Sequence, residues 1–555
     1  MLVALYLLAA AALLLPWPFG AHPAWAYNWE GYTAWRWATY WEPPTGPTFD
    51  IWAPTDGLMT DSGQGPLVGL PVAIGIALGG VRLEAMRIPV TLVAAAAIPV
   101  FWLLGRRLIG SGVATLAALL LATSPVFLLY ARTATLVGIS LLPLLLSVLA
   151  LVRVLDAGPG EGWRWGREGL LAASLLLGIY AYAPVRLVWP IAVAMLCLAA
   201  ARDPIRRKIL LRTAVLCALI VPAATMTLER LAAPEPDPLG AAAGYFHARG
   251  EQLLAMSGDP TAAAQYVRAG DVDVATGWET AVQLVGQNAV DLMKLLLDRG
   301  TGPAPAEYWN EHGRFWPWFF FPFALVGGFL AVRGGWTSGG QIVMVLPAVI
   351  FLGLTLPLFL TSRVHVGRLL PALPFALLLV ASGVWAAAGW LATQARRAGA
   401  GEAARWIAPF LAGALLVPAV VSARVDLETP LSPSRESLTA AVLADWGDDA
   451  SERGGAVLVE DPALGDDIER VHAATYRFAL DGRYRFVDLR QQRPETGDDP
   501  RPALLWRNTL GALQAGEIAR PCARLWFVAP EIAGEFFASW QGAGCVGAPD
   551  SVILP

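Results

Sequence analysis

Charge is what this 555-residue chain has least of: Asp, Glu, Lys and Arg make up 15% of it, where a soluble protein of this length carries about 25%. The charges nearly cancel, leaving a net of −4, which does not suggest nucleic-acid binding. Histidine (5 residues) and cysteine (4 residues) are scarce, and none of them fall at zinc-ligand spacings. The chain lacks a P-loop and a GxGxxG fingerprint, so no nucleotide-cradling loop of that kind is expected. It also lacks internal repeats and low-complexity tracts. Cys197 and Cys217 lie in apolar runs and read as small core residues. Cys522 and Cys545 lie in the polar C-terminal region and can pair if that region is outside the cytoplasm.

Apolar residues fill the space that charge leaves. They make up 56% of the chain, and the mean hydropathy is +0.52. Successive runs near the ~20 residues needed to cross a bilayer identify a polytopic α-helical membrane protein with about eleven spans. The runs lie near Leu2–Pro16, Ile88–Leu104, Val113–Leu129, Val137–Leu151, Leu170–Ala183, Leu187–Ala200, Ile209–Ala224, Trp318–Val332, Ile342–Leu360, Leu369–Leu391 and Trp406–Val421. Leu67–Leu78 is apolar but short, and reads as an interfacial or re-entrant helix. Ala24-Trp25-Ala26 looks like a signal-peptide cleavage site, but no basic segment precedes the apolar run, which favours a retained first helix.

Arginine gives the layout a direction. Arg106 and Arg107, Arg153, Arg164 and Arg167, Arg202 to Arg212, Arg333, and Arg396, Arg397 and Arg405 fall on every second connection. Short loops rich in Lys and Arg stay inside, so the N-terminus is expected in the cytoplasm of a bacterial-type plasma membrane. Three regions then face outward: a first loop with interfacial helices (21–86), a second large segment (225–314) and the C-terminal region (424–555). That last region alternates short strand-like runs, GGAVLVED, YRFVDL and ARLWFVAP, with helical or loop sequence such as SPSRESLTAAVLADW. It reads as a small soluble α/β domain attached to a 1–423 membrane domain.

The first outer loop is crowded with Trp and carboxylates: Glu30, Asp50, Asp56 and Asp61 lie among Trp25, Trp29, Trp35 and Trp52. Trp settles at headgroup level, and carboxylates held there are candidates for a general base acting on an acceptor hydroxyl or amine. Glu30 is the first choice, with Asp56 and Asp61 as alternatives. Other polar residues return to the same face: Arg132 in LLYARTATL, Tyr180, Tyr182 and Arg186 in GIYAYAPVR, and Arg363, His365 and Arg368 in TSRVHVGRLLPALP. Arg on the side normally poor in it points to an anionic ligand, because the guanidinium recognises phosphate bidentately. Each has an ordinary alternative: a span-end Arg snorkels to headgroups, a Tyr joins the aromatic belt, and a loop Asp caps or is solvated.

Four segments together resemble the family-39-like membrane glycosyltransferases of the GT-C fold, related to protein O-mannosyltransferases and the lipid A aminoarabinose transferase. GQGPLVGLPVAIGIALGGVRLEAMRIPVTL is similar to that family's Pro-Leu interfacial helix and the span start after it. SPVFLLYARTATLVGISLLPLL is similar to its Ser-Pro…Ser-Arg loop. LLLGIYAYAPVRLVWPIAV resembles its Gly-x-x-x-Tyr-Thr-Tyr…Arg span, and HVGRLLPALP its Arg-x-Leu-Pro-x-x-Pro element. The resemblance covers roughly the first 420 residues, in order.

The resemblance implies transfer of a sugar from a polyprenyl-phosphate donor to an outward-facing glycan, lipid or protein acceptor. Family members open the first outer loop with Asp-Glu and a following Tyr. Here Asn28-Trp29-Glu30-Gly31-Tyr32 keeps the Glu and Tyr and lacks the Asp. Glu30, Asp56 and Asp61 are thus the catalytic candidates. Arg132, Arg186, Arg363, His365, Arg368, Tyr32 and Tyr182 are the candidates for donor and phosphate binding. No metal ligand is assigned, and a divalent cation beside the phosphate is left open. Two other readings stand beside this one: a transporter or flippase of a lipid-linked sugar, and a catalytically inactive relative that binds or assembles sugar lipids.

Overall fold

In hydrocarbon a segment must satisfy its own backbone N–H and C=O groups, which is why the long apolar runs fold as helices. The computed structural model describes residues 2–15, 66–79, 83–156, 165–232, 278–297, 315–336, 342–360 and 366–428, together with five short strands beyond them.

The first half comprises α1 (Leu2–Leu14), α2 (Pro66–Gly79), α3 (Leu83–Ala95), α4 (Ala97–Leu108), α5 (Ser111–Ala122), α6 (Pro125–Ala131), α7 (Leu136–Ile139), α8 (Leu141–Leu155), α9 (Trp165–Ile179), α10 (Val188–Arg202) and α11 (Arg207–Ala232). A 3-10 turn, Ala183–Leu187, leads into α10. The second half comprises α12 (Trp278–Leu296), α13 (Phe320–Trp336), α14 (Leu346–Thr355), α15 (Val366–Leu369), α16 (Leu373–Arg397), α17 (Gly401–Ala404) and α18 (Ile407–Glu428). Further 3-10 turns, Ile342–Val345, Leu356–Leu360 and Leu370–Ala372, join the elements around α14 and α15.

The chain is a multi-pass membrane protein. Among the described residues six helices are long and apolar enough to cross a bilayer, or seven if the bent pair α5–α6 is one span. Shorter apolar helices stand at Leu2–Leu14, Leu67–Gly79, Phe320–Gly334 and Val343–Leu358. The run expected to lie at the interface is α2, whose 14 residues span about 21 Å at 1.5 Å per residue.

The centre of the bundle is α16. In the span Val366–Arg397 83% of the most apolar window is buried, against 17% for Ile407–Arg424 at the periphery. Helix α16 packs against α5, α13, α14 and α18, and α4 links α5 to α8. Gly383 of α16 rests on the carbonyl of Phe323, and Gly327 of α13 rests on the carbonyl of Leu379. Two glycines four residues out of phase thus let the backbones touch, as small residues do between membrane helices.

Cysteine burial differs from the sequence reading in one place. Cys217 is buried, but Cys197 is exposed, because the face of α10 that carries it lies away from α8, α11 and α14.

Beyond α18 the described elements are strands β1 (Ala456–Val459), β2 (Arg485–Asp488), β3 (Ala503–Trp506), β4 (Arg524–Phe527) and β5 (Val552–Ile553). They form one sheet of order β2-β3-β1-β4-β5, parallel at each pairing, with Val457 opposite both Leu505 and Leu525. Parallel neighbours need crossover connections rather than tight hairpins. Those connections, the helix expected over residues 432–446, Cys522 and Cys545 lie outside the described residues.

Candidate active site

The end of the bundle that holds the candidate arginines is organised by a bend. After α5 the chain reaches Thr123-Ser124-Pro125, and α6 leaves at 60° to α5. A residue before proline is pushed out of the helical region, and Ser124 has φ −68° and ψ 126°. Pro125 then occupies the first turn of α6, where its missing N–H costs nothing. The Ser124 hydroxyl does not cap α6, and its buried oxygen has no hydrogen-bond partner among the described residues. Ser124 lines a small pocket with Thr123, Phe315, Trp316 and Ser422.

Helix α6 ends at Arg132, which is 1% exposed. Its Nε donates to the carbonyl of Leu13 at 3.1 Å, and its Nη2 to those of Ala12 at 2.9 Å and Leu15 at 3.0 Å. The last carbonyls of a helix have no partner within it and carry its negative dipole end, so a cation with a planar fork suits that position. The sequence placed Arg132 among the phosphate-binding cations; the structure turns its fork onto the end of α1.

The residues around Arg132 are tied as firmly. The Tyr130 carbonyl accepts the Thr133 hydroxyl at 3.0 Å, Thr133 and Thr135 share a hydrogen bond at 3.1 Å, and the Ala131 carbonyl accepts Thr91 Oγ1 at 3.0 Å. Gly138 of α7 lies on the Tyr130 carbonyl with no room for a Cβ. On the other side Val68, Val72 and Ile76 of α2 pack with Met86, Val90, Ala134 and Ile139. This corner is irregular backbone buried in protein, a setting in which such backbone is tolerated at membrane depth.

Arg368 lies on α15, half-buried. Helix α15 packs against α6, and the Leu370–Ala372 turn packs against α7 and α8. The structure therefore brings the Arg368 segment to the corner that Arg132 ends. Arg186 lies on the 3-10 turn after α9, and its Nε donates to the Ile179 carbonyl at 3.0 Å. Tyr182 is half-buried against the core, and its carbonyl accepts the Val185 N–H at 2.8 Å. Tyr180 donates to the Thr225 carbonyl at 3.4 Å. The 3-10 turn carrying Arg186 packs against α14. Glu30, Tyr32, Asp56, Asp61, Arg363 and His365 lie outside the described residues.

One group escaped the sequence reading. On α12, Asn288 and Asp291 are 2% and 8% exposed, and Asp291 Oδ1 accepts from Gln287 at 3.2 Å and Lys294 at 3.3 Å. They share a face with the buried Leu292 and Leu295, and α12 packs against the Leu356–Leu360 turn that leads toward Arg368. Trp316 holds the end of α12 by donating to the Leu296 carbonyl at 2.7 Å. The signal was available: positions 288, 291, 292 and 295 repeat at helical spacing. Among the described residues no three His, Cys, Asp or Glu side chains gather into a metal-ligand set.

Residues 63–226, from just before α2 into α11, match the family model described as dolichyl-phosphate-mannose-protein mannosyltransferase. Among solved structures the chain is similar to ArnT from Cupriavidus metallidurans in the apo state, at 15% identity and a TM-score of 0.52, over 86% of this chain and 83% of that one. It is also similar to the oligosaccharyltransferase AglB from Archaeoglobus fulgidus, solved with an inhibitory peptide and a dolichol-phosphate, at 14% identity and a TM-score of 0.51, over 86% of this chain and 63% of that one. The chain has the GT-C fold. No curated protein sequence matches it significantly. Within this GT-C chain the family match takes in the Arg132 corner and Arg186 but stops short of Arg368, and it begins after Glu30.

Proposed function

We propose that this protein is a membrane glycosyltransferase that moves a sugar from a polyprenyl-phosphate donor to an acceptor on the outer side of a bacterial plasma membrane. The observation that carries the reading is the packing of α15, with Arg368, onto the helix that ends at Arg132, in a chain of the GT-C fold. The Arg-rich opposite end supports the orientation. There Arg107 pairs with Asp156 at 2.9 Å and Arg206 with Asp203 at 2.6 Å, as expected of a cytoplasmic face. The parallel strands support the α/β reading of the C-terminal region, which shares the outer side.

In this mechanism Glu30, with Asp56 or Asp61 as substitutes, takes the proton from the acceptor hydroxyl or amine. The acceptor attacks the anomeric carbon, the bond from that carbon to the phosphate oxygen breaks, and the configuration inverts. Arg368, Arg186 and the Arg363–His365 pair hold the departing phosphate, whose charge grows in the transition state and rewards fixed cations there. Tyr32 and Tyr182 line the donor. A divalent cation beside the phosphate would add to the same stabilisation, and a chelator tests for it.

The test is transfer in detergent. Purified protein is given radiolabelled polyprenyl-phosphate mannose or aminoarabinose with lipid, glycan and protein acceptor fractions, and label should move to one acceptor class. Movement of sugar lipid across sealed vesicles without any transfer in detergent would replace this reading with a flippase.

A further inference from the structure

We propose that Arg132 is a positioning residue that sets where the first outer loop leaves the membrane domain, rather than a ligand of the donor phosphate. The inference deepens the glycosyltransferase reading and rests on it for its kinetic consequences. Three observations converge. The Nε and Nη2 of Arg132 donate to the carbonyls of Ala12, Leu13 and Leu15, at the end of the described residues before the loop. The helix that follows the loop, Pro66–Gly79, packs through Val68, Val72 and Ile76 onto Ala134 and Ile139, within seven residues of Arg132. The corner that receives both ends is itself fixed, through the Thr91 hydrogen bond to the Ala131 carbonyl and the Gly138 contact with the Tyr130 carbonyl. One buried corner thus anchors both ends of residues 16–65, and Arg132 holds the end nearer Glu30.

A planar guanidinium reaches three carbonyls at once, whereas an ammonium of similar length is a point charge on a flexible stem. Arg132→Lys therefore keeps the charge and loses the geometry. If the loop's base is placed by this anchor, a small displacement lowers the rate of the chemical step and leaves donor binding alone.

The experiment compares wild type, Arg132→Lys and a variant with Gly-Ser inserted between Leu15 and Pro16, which spares the Arg132 hydrogen bonds but shifts the loop. Kinetics use whichever of polyprenyl-phosphate mannose or aminoarabinose the wild type consumes. Both variants should lose at least tenfold in kcat with the donor KM within twofold of wild type, and Arg132→Lys should speed amide exchange at residues 12–15. A tenfold rise in donor KM with kcat unchanged in Arg132→Lys would make Arg132 a phosphate ligand and overturn the proposal. An insertion variant with wild-type kcat would also overturn it, and it decides the matter if Arg132→Lys does not fold. Should the wild type transfer neither sugar, the glycosyltransferase reading fails separately. Amide exchange then decides alone: unchanged protection at residues 12–15 in Arg132→Lys would sink the anchor.

Discussion

Gly327 lies directly on the carbonyl of Leu379, with no room for a single side-chain carbon between α13 and the central helix α16. Its neighbour Gly328 has nothing within 4 Å of where a Cβ would stand. The pair is a built-in control. Gly327→Ala should destabilise the detergent-solubilised protein by about 1–3 kcal/mol through overpacking, whereas Gly328→Ala should be neutral or slightly stabilising through helix propensity. Thermal unfolding of the two variants checks this, and equal losses would show that the helices separate more freely than the contact suggests.

Arg368 and Glu30 carry the chemical proposal, and each has a charge-removing substitution. Glu30→Gln and Arg368→Ala should each abolish transfer while leaving the unfolding temperature near that of wild type. Full transfer by the Glu30→Gln protein would remove Glu30 as the base and pass the role to Asp56 or Asp61.

Ser124 and Thr91 make opposite predictions from the same physics. The Ser124 oxygen is buried without a partner among the described residues, so Ser124→Ala should leave stability unchanged or raise it by about 1 kcal/mol. Thr91 satisfies the Ala131 carbonyl, so Thr91→Val strands a buried acceptor and should cost about 1–3 kcal/mol. Chemical denaturation of the two purified variants, read against wild type, gives the signs.

Asp203, on the connection between α10 and α11, is held below the usual carboxylate range, first by the side-chain hydrogen bond from Arg206 and then by the Arg206 backbone N–H. A depressed folded pKa stabilises the protein above the unfolded value of about 4 and loses that contribution as pH falls through the folded value. Asp203→Asn should therefore flatten the acid limb of stability against pH below about 4. The pair is only partly buried, so added salt should shrink the difference. An unchanged acid limb would assign it to other carboxylates.

What the sequence disclosed and what it concealed follow from the range of the interactions. The apolar runs were legible because crossing length is a local property; the bend at Ser124-Pro125 was passed over, Val113–Leu129 being read as one span although proline restricts the residue before it. Three of the five strands lie in runs read as strand-like; β3, though as long as those three, was not read as a strand, and β5 has only two residues. The partners of Arg132 were not legible. They lie 119 residues away at Leu13, and they are carbonyls, which every residue carries. An arginine meant for a phosphate and one meant for a helix end look the same in a string. Asp291 was hidden differently, within a segment set aside as polar, although its helical spacing was there to read.

Anchoring both ends of residues 16–65 to one buried corner separates the base of that loop from its tip. Chain closure is already made, and lengthening a closed loop is cheap, about 0.6 kcal/mol for each doubling. Under the proposed mechanism a change in residues 16–65 is therefore felt in turnover rather than in the bundle: a longer loop costs the fold little and displaces the base it carries, so a stability measurement alone would pass over it.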